Sequence, residues 1–183
     1  MFTGIIETTG RIASVEKEGT NYVFTVTSPL SAKLKIDQSV AHDGVCLTVT
    51  QVKGKQHTVT AVKETLNRSA LGSWKKGTVV NLERSLLADS RIDGHFVQGH
   101  VDTVTKILSV KAQNGSWVFT FRLPEKYRLL IVEKGSVTVN GISLTVSGLE
   151  KDKFSVTVIP YTFEHTNLSG LGKGSTVNIE FDI

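Results

Sequence analysis

Apolar and polar positions alternate along most of this chain. "NYVFTVTS" (21–28), "HTVTAV" (57–62), "TVVNLE" (78–83), "WVFTFRL" (117–123), "FSVTVI" (154–159) and "TVNIEFDI" (176–183) are rich in β-branched and aromatic residues with a period of two, the pattern of strands with one face turned inward. Turn signals separate them: Glu18-Gly19-Thr20-Asn21, Lys53-Gly54, Lys76-Gly77, Gln113-Asn114-Gly115 and Lys173-Gly174. Helical periodicity is weak. "SPLSAKL" (28–34) and "PEKYRLLIV" (124–132) each predict a short helix, begun by a proline at or near the first turn.

The pattern occurs twice. "GIIET" at 4–8 is answered by "GHVDT" at 99–103, and "NYVFTVTSP" at 21–29 by "SWVFTFRLP" at 116–124, both 95 residues on. "SVAHDGVCLTV" at 39–49 then matches "SVTVNGISLTV" at 136–146, and "TLNRSALGSWKKGTVVNLE" at 65–83 matches "TFEHTNLSGLGKGSTVNIE" at 162–180, both 97 residues on. The change of offset places a two-residue insertion between Pro124 and Ser136. A repeat this long is a duplicated domain, since solenoid units run about 20–50 residues.

Six strands in about ninety residues bury little as an open sheet, and closure into a small barrel removes the exposed edges. The expected fold is all-β: two tandem six-stranded antiparallel Greek-key β-barrels related by internal duplication, with short helices between strands. The first spans 1–89 and the second 95–183, joined by a linker at about 84–95.

Composition narrows the classes. Hydrophobic residues make up 39% of the 183 residues, enough for a packed core, and the net charge of +4 is scattered, without a basic run of the kind that grips nucleic acid. The one cysteine excludes an intrachain disulfide framework. "MFTGIIETTG" lacks the charged and apolar regions of a signal peptide. No apolar run approaches the ~18 residues of a membrane helix. The expectation is a soluble cytoplasmic protein.

If "VCLTVT" is a strand, Val45, Leu47 and Val49 face the barrel interior while Cys46, Thr48 and Thr50 face out. In the second copy Ile142, Leu144 and Val146 face in, and Ser143, Thr145 and Ser147 out. A lone cysteine is usually a small buried hydrophobe. Here it shares its face with hydroxyls, which leaves a site wall or a solvated surface. Gly44 and Gly141, after Asp43 and Asn140, suit a tight turn or bulge with positive φ that re-aims the next side chain. His100 stands where the first copy has Ile5, and His42 where the second has Val139. His95 and His100 lie five apart, and His42, His57 and His165 complete no zinc pattern. Lys134 and Asp182 lie near strand ends and read as surface charges. GxGxxG, GxxxxGK[ST] and GxSxG are all missing.

"MFTGIIE", "SVAHDGVCLTV", "KETLNRSALG", "GHFVQGHVD", "NGISLTV", "IPYTFEHTNL" and "VNIEFD" together resemble the riboflavin synthase family, in order and over essentially the whole chain. The resemblance implies a transferase with two similar six-stranded barrels. It implies dismutation of 6,7-dimethyl-8-ribityllumazine by transfer of a four-carbon unit between two molecules, giving riboflavin and 5-amino-6-(D-ribitylamino)uracil, without cofactor or metal. It further implies a homotrimer in which the N-terminal barrel of one subunit faces the C-terminal barrel of the next, with lumazine synthase as a candidate partner. The family's chains continue into a C-terminal helix, and this sequence stops at Ile183.

The family's functional positions fall in the first copy on Phe2, Thr3, Gly4, Ile5, Ile6, Ser39, Cys46, Leu47, Thr48, Thr60, Ala61, Val62, Lys63, Glu64 and Thr65. In the second they fall on His95, Gly99, His100, Val101, Lys134, Ser143, Leu144, Thr145, Ile159, Pro160, Tyr161, Thr162, Phe163, Glu164 and Asp182. Cys46 and Ser143 are candidates to supply or position a nucleophile, His100 to shuttle protons, and Lys134 and Asp182 to polarise ring atoms, with His95 also in the catalytic group. Thr48 and Thr145 are candidates for ribityl hydroxyls, and the Leu-Thr-Val backbone for the pyrimidine edge. Two substrate molecules with unequal roles explain both the duplication and the divergence of its copies.

Three other readings compete. A non-catalytic lumazine- or flavin-binding protein shares the duplicated barrel but tends to have lost these side chains, all present here. A reductase flavin barrel needs an Arg-x-Tyr-Ser/Thr strand and a nucleotide domain. A generic barrel adaptor gives no reason for the site residues.

Overall fold

A computed structural model describes residues 1–182; Ile183, the end of the second expected unit, lies outside the described residues. The first half contains β1 (Thr8–Glu18), β2 (Asn21–Thr27), β3 (Ser39–His42), β4 (Val45–Lys53), β5 (Gln56–Ala61) and β6 (Val79–Arg84). The second contains β7 (Thr103–Gln113), β8 (Ser116–Arg122), β9 (Ser136–Val139), β10 (Ile142–Leu149), β11 (Lys153–Val158) and β12 (Thr176–Phe181). Each set closes on itself, in the cyclic orders β1-β2-β5-β4-β3-β6 and β7-β8-β11-β10-β9-β12, with antiparallel neighbours throughout. The register shifts at matching points: Ile12/Ser14 and Ile107/Ser109, Val49/Gln51 and Val146/Gly148. Such irregularities bend a strand enough to close a small barrel.

The alternation is realised. Val45, Leu47 and Val49 are buried, Cys46 is half-buried, and Thr48 and Thr50 are exposed. Inside the first barrel the Trp74 ring meets Phe24 edge-on, 5.1 Å between centroids. Phe121 stacks on Phe154 in the second at the same separation. The helices expected over 28–34 and 124–132 form as 3-10 turns, Pro29–Lys33 and Glu125–Leu130. Two α-helices had no periodic signal, because six residues are less than two turns: α1 (Lys63–Arg68) and α2 (Pro160–His165), each entered from an extended residue, Val62 or Ile159.

The two barrels meet across an approximate two-fold axis. The Asp43–Gly44 and Asn140–Gly141 hairpin turns have positive φ at all four residues, +47°, +79°, +46° and +79°, as two-residue turns of this hand require. A Cβ on Gly44 would lie 2.7 Å from the Gly141 nitrogen, and the reverse distance is also 2.7 Å; only glycine lets the turns abut. Around them Asn81 Nδ2 donates to the Asn140 carbonyl and Asn178 Nδ2 to the Asp43 carbonyl, both at 2.9 Å. The Asn81 carboxamide oxygen accepts from the Asn167 amide at 2.8 Å and that of Asn178 from the Ala70 amide at 2.7 Å. Among the described residues no buried side-chain polar atom is left without a partner.

Candidate active site

The segment before each barrel crosses to the other one. Phe2, fully buried, exchanges main-chain hydrogen bonds with Val97 at 2.7 and 3.0 Å. Beyond this bridge, Gly99 of the second half accepts from the Cys46 amide of β4 at 2.9 Å, and Gly4 of the first accepts from the Ser143 amide of β10 at 2.8 Å. Both glycines have left-handed φ, +83° and +78°. A Cβ on Gly99 would lie 2.7 Å from Cys46 Cβ, and one on Gly4 2.6 Å from Ser143 Cβ.

This crossing makes the Cys46 cleft, with a volume of about 370 Å³. Its walls are Val45 and Cys46 on β4, Val62, Glu64, Thr65, Arg68 and Ser69 around α1, and Gly99 to Asp102 from the second half. Cys46 and His100 therefore share one cleft although they belong to different copies. Its related counterpart, about 460 Å³, is walled by Ile6 and Glu7 from the first half and by Tyr161, Glu164, His165 and Thr166 around α2.

The two differ in chemistry. On α1 Glu64 and Arg68 pair at 3.3 Å; on α2 Tyr161 and His165, at the same positions, stack at 4.1 Å. Ser143 is held from outside the second cleft. Its hydroxyl meets His95 Nδ1 at 2.7 Å, and His95 Nε2 meets the Thr138 hydroxyl at 3.1 Å. Burial pulls the His95 pKa below its ordinary value while the Asp182 carboxylate raises it, burial being the larger effect. A neutral His95 suits this position, because one ring nitrogen can accept from a hydroxyl while the other donates.

Among the other expected site residues, Val62, Glu64, Thr65, Gly99 and Val101 line the Cys46 cleft. Tyr161, Glu164 and Ile6 line the second, and Ile159 and Pro160 are exposed where α2 begins. Thr3, Ile5 and Ser39 line a separate cavity under the linker, of about 540 Å³. Ser39 pairs with Thr48 across the β3–β4 hairpin, and Thr48 and Thr145 are exposed. The Leu47 and Ala61 side chains lie in the barrel interior, Leu144 packs against the second core, and Phe163 stacks on Trp117 at 3.9 Å. Thr60 and Thr162 are half-buried, and Lys63 is exposed. Lys134 and Asp182 are exposed, as their pattern suggested. Lys134 has φ +69°, the same as Asp37 at the matching turn of the first barrel.

Sequence reasoning missed Arg68, Ser69 and Asp102 in the first cleft and His165 and Thr166 in the second. It also passed over Glu83 and Glu180. Their signal was the repeated "VNLE" (80–83) and "VNIE" (177–180), buried at all eight positions. Among the described residues no three His, Cys, Asp or Glu side chains group to hold a metal ion. No helix among them is long and apolar enough to cross a membrane.

The Lumazine binding domain family model matches residues 3–85 and again 98–182, so the chain is a duplicated lumazine-binding domain protein. The riboflavin synthase of Actinobacillus pleuropneumoniae is 41% identical over all of this chain and 86% of its own. That of Bacillus subtilis is 39% identical with the same coverage, and that of Mycobacterium tuberculosis 42% identical over all of this chain and 94% of its own. A crystal structure of LumP complexed with riboflavin superposes with a TM-score of 0.94 over the whole of both chains at 21% identity, and one of LumP complexed with 6,7-dimethyl-8-(1'-D-ribityl) lumazine with 0.91 at 22%; these show the fold. The chain belongs to the riboflavin synthase family, whose members are transferases.

Proposed function

We propose that this chain dismutates 6,7-dimethyl-8-ribityllumazine. One molecule gives up a four-carbon unit and becomes 5-amino-6-(D-ribitylamino)uracil, and the other gains it and becomes riboflavin. Two substrate molecules supply every atom of the two products, so the balance needs no oxidant, reductant or water. We take 1–89 and 95–183 as its two lumazine-binding units.

The observation that carries this reading is the unequal pair of clefts built on matching backbone. One presents Cys46 and His100 beside a charged helix. The other is lined by Ile6, Glu7 and an aromatic helix, with Ser143 and His95 joined to each other outside it. Equal clefts would hold two identical molecules alike, whereas one must donate and one accept. The C7 methyl of the lumazine is acidic because its carbanion delocalises into the ring, so one cleft must supply a base. A nucleophile adds at C7 of the other molecule. His100, exposed at the cleft mouth, suits proton transfer. Cys46 and Ser143 suit supply or orientation of the nucleophile. Lys134 and Asp182 suit polarisation of the heterocycle once a second copy covers them.

Each cleft is open, and much of the acceleration must come from holding two rings stacked in register. We therefore propose a homotrimer in which the Cys46 cleft of one copy faces the Ser143 side of the next. A single cysteine suits a reducing compartment, and we place the activity in the cytoplasm. Incubation with the lumazine alone tests the reaction: one riboflavin should appear for every two lumazines consumed, with nothing else added. Binding without riboflavin formation would instead favour a non-catalytic carrier.

A further inference from the structure

Two buried glutamates, one in each barrel, hold the segments that cross between the barrels. Glu180 lies on β12, 6% exposed. Its Oε1 accepts from the Gln98 amide at 2.6 Å, and its Oε2 from the amides of Gly99 at 3.0 Å and His100 at 2.8 Å. Three successive N–H groups thus converge on one carboxylate, the arrangement that backbone nests offer to anions. Gly99 then presents its carbonyl to Cys46, and the next residue, His100, enters the Cys46 cleft. Glu83 on β6 repeats the arrangement. It accepts from the Thr3 amide at 2.6 Å, the Thr3 hydroxyl at 2.7 Å and the Gly4 amide at 3.0 Å, and Gly4 presents its carbonyl to Ser143.

We propose that Glu180 is a positioning residue for the Cys46 cleft and Glu83 its mate for the Ser143 side. Each carboxylate holds, from one barrel, the segment that completes the working surface of the other. The proposal rests on the reading of these clefts as substrate sites. Its physical basis is the direction of the contacts: all six are donated to the carboxylates, so only a group with two acceptor oxygens satisfies them. An amide would turn two N–H donors toward other donors. The cost of burying such a charge is met only while the segment stays in place.

The chain's single cysteine is a local reporter. Cys46 labelling by a chromogenic aromatic disulfide should be slowed by 6,7-dimethyl-8-ribityllumazine in the parent protein. In Glu180→Gln it should run faster by about tenfold or more, because the covering segment opens more often, and the lumazine should no longer slow it. Glu83→Gln should speed Cys46 labelling several-fold less than Glu180→Gln does, a contrast that a general loss of stability would not produce. A Glu180→Gln protein labelled at the parent rate overturns the proposal. Failure of the lumazine to protect the parent protein would instead remove the substrate reading of the cleft, while the ligand-free rates still decide the role of Glu180. If Glu180→Gln does not fold, amide exchange in the parent protein decides. Slow exchange at Gln98, Gly99 and His100 supports the clamp; exchange at the rate of open loop amides overturns it.

Discussion

His42 and His57 meet nitrogen to nitrogen, Nε2 to Nε2 at 2.8 Å, in the interior of the first barrel. The partners fix the direction of the chain. His42 Nδ1 lies 3.0 Å from the Val40 carbonyl, an acceptor only, so it carries the hydrogen. His57 Nε2 must then donate to His42, and its Nδ1, 2.7 Å from Ser31 Oγ, accepts from that hydroxyl. Both rings are neutral. Burial, with the neighbouring His57, takes His42 down to about 3, and burial takes His57 down to about 4.

An unfolded chain protonates these rings near pH 6.5, so stability is fully present above that pH and is lost as pH falls toward 4 for His57 and toward 3 for His42. The slope is up to about 1.4 kcal/mol per pH unit for each ring. The second barrel has Val139 and Phe154 at these positions. The variant Ser31→Ala/His42→Val/His57→Phe should therefore lose most of the fall in melting temperature between pH 7 and pH 5. A parent-like fall in that variant contradicts the assignment.

Asp43 carries the opposite slope. It lies at the barrel junction, where the second copy has Asn140, and burial pushes it up to about 8 against the pull of the Asn81 and Asn167 donors. A raised carboxyl contributes stability that is fully present below its unfolded pKa near 4 and is lost as pH rises toward 8. Asp43→Asn should raise the melting temperature at pH 8 and change it little at pH 4. Equal effects of Asp43→Asn at both pH values would show that the carboxyl is not titrating in this range.

Gly99→Ala combines left-handed strain, roughly 1–2 kcal/mol, with a Cβ 2.7 Å from Cys46 Cβ and 2.8 Å from Phe2 Cε2. Gly115→Ala, φ +84° with no atom of the described residues beyond its chain neighbours within 4 Å of its Cβ, carries the strain alone. Gly99→Ala should lower kcat/KM for riboflavin formation by at least about tenfold, ~1.4 kcal/mol of transition-state stabilisation. Gly115→Ala should lower only the melting temperature. Equal kinetics in the two variants would remove the close approach of Gly99 and Cys46 from the account.

Much of the fold was legible because a period of two is strong evidence and here it is written twice. Val45, Leu47 and Val49 announced their interior face, and Asp43-Gly44 announced its turn. The helices α1 and α2 were silent because six residues carry too little periodicity. The candidate side chains could be named from the resemblance. Their grouping could not be read, because nothing local in "GHFVQGHVD" shows that Gly99 and His100 cross to the first barrel. That crossing depends on Glu180, some eighty residues further on, and on the Phe2–Val97 bridge between the copies.

In the proposed reaction, two unequal clefts from neighbouring copies act together. Co-expression of two disabled chains tests it most directly, one carrying Cys46→Ala/His100→Ala and the other Ser143→Ala/His95→Ala. Each alone should form almost no riboflavin. Random assembly should bring two intact surfaces together at about one junction in four and restore activity in that proportion. Mixed assemblies as inactive as the separate variants, or a monomeric parent chain with full activity, would contradict the account.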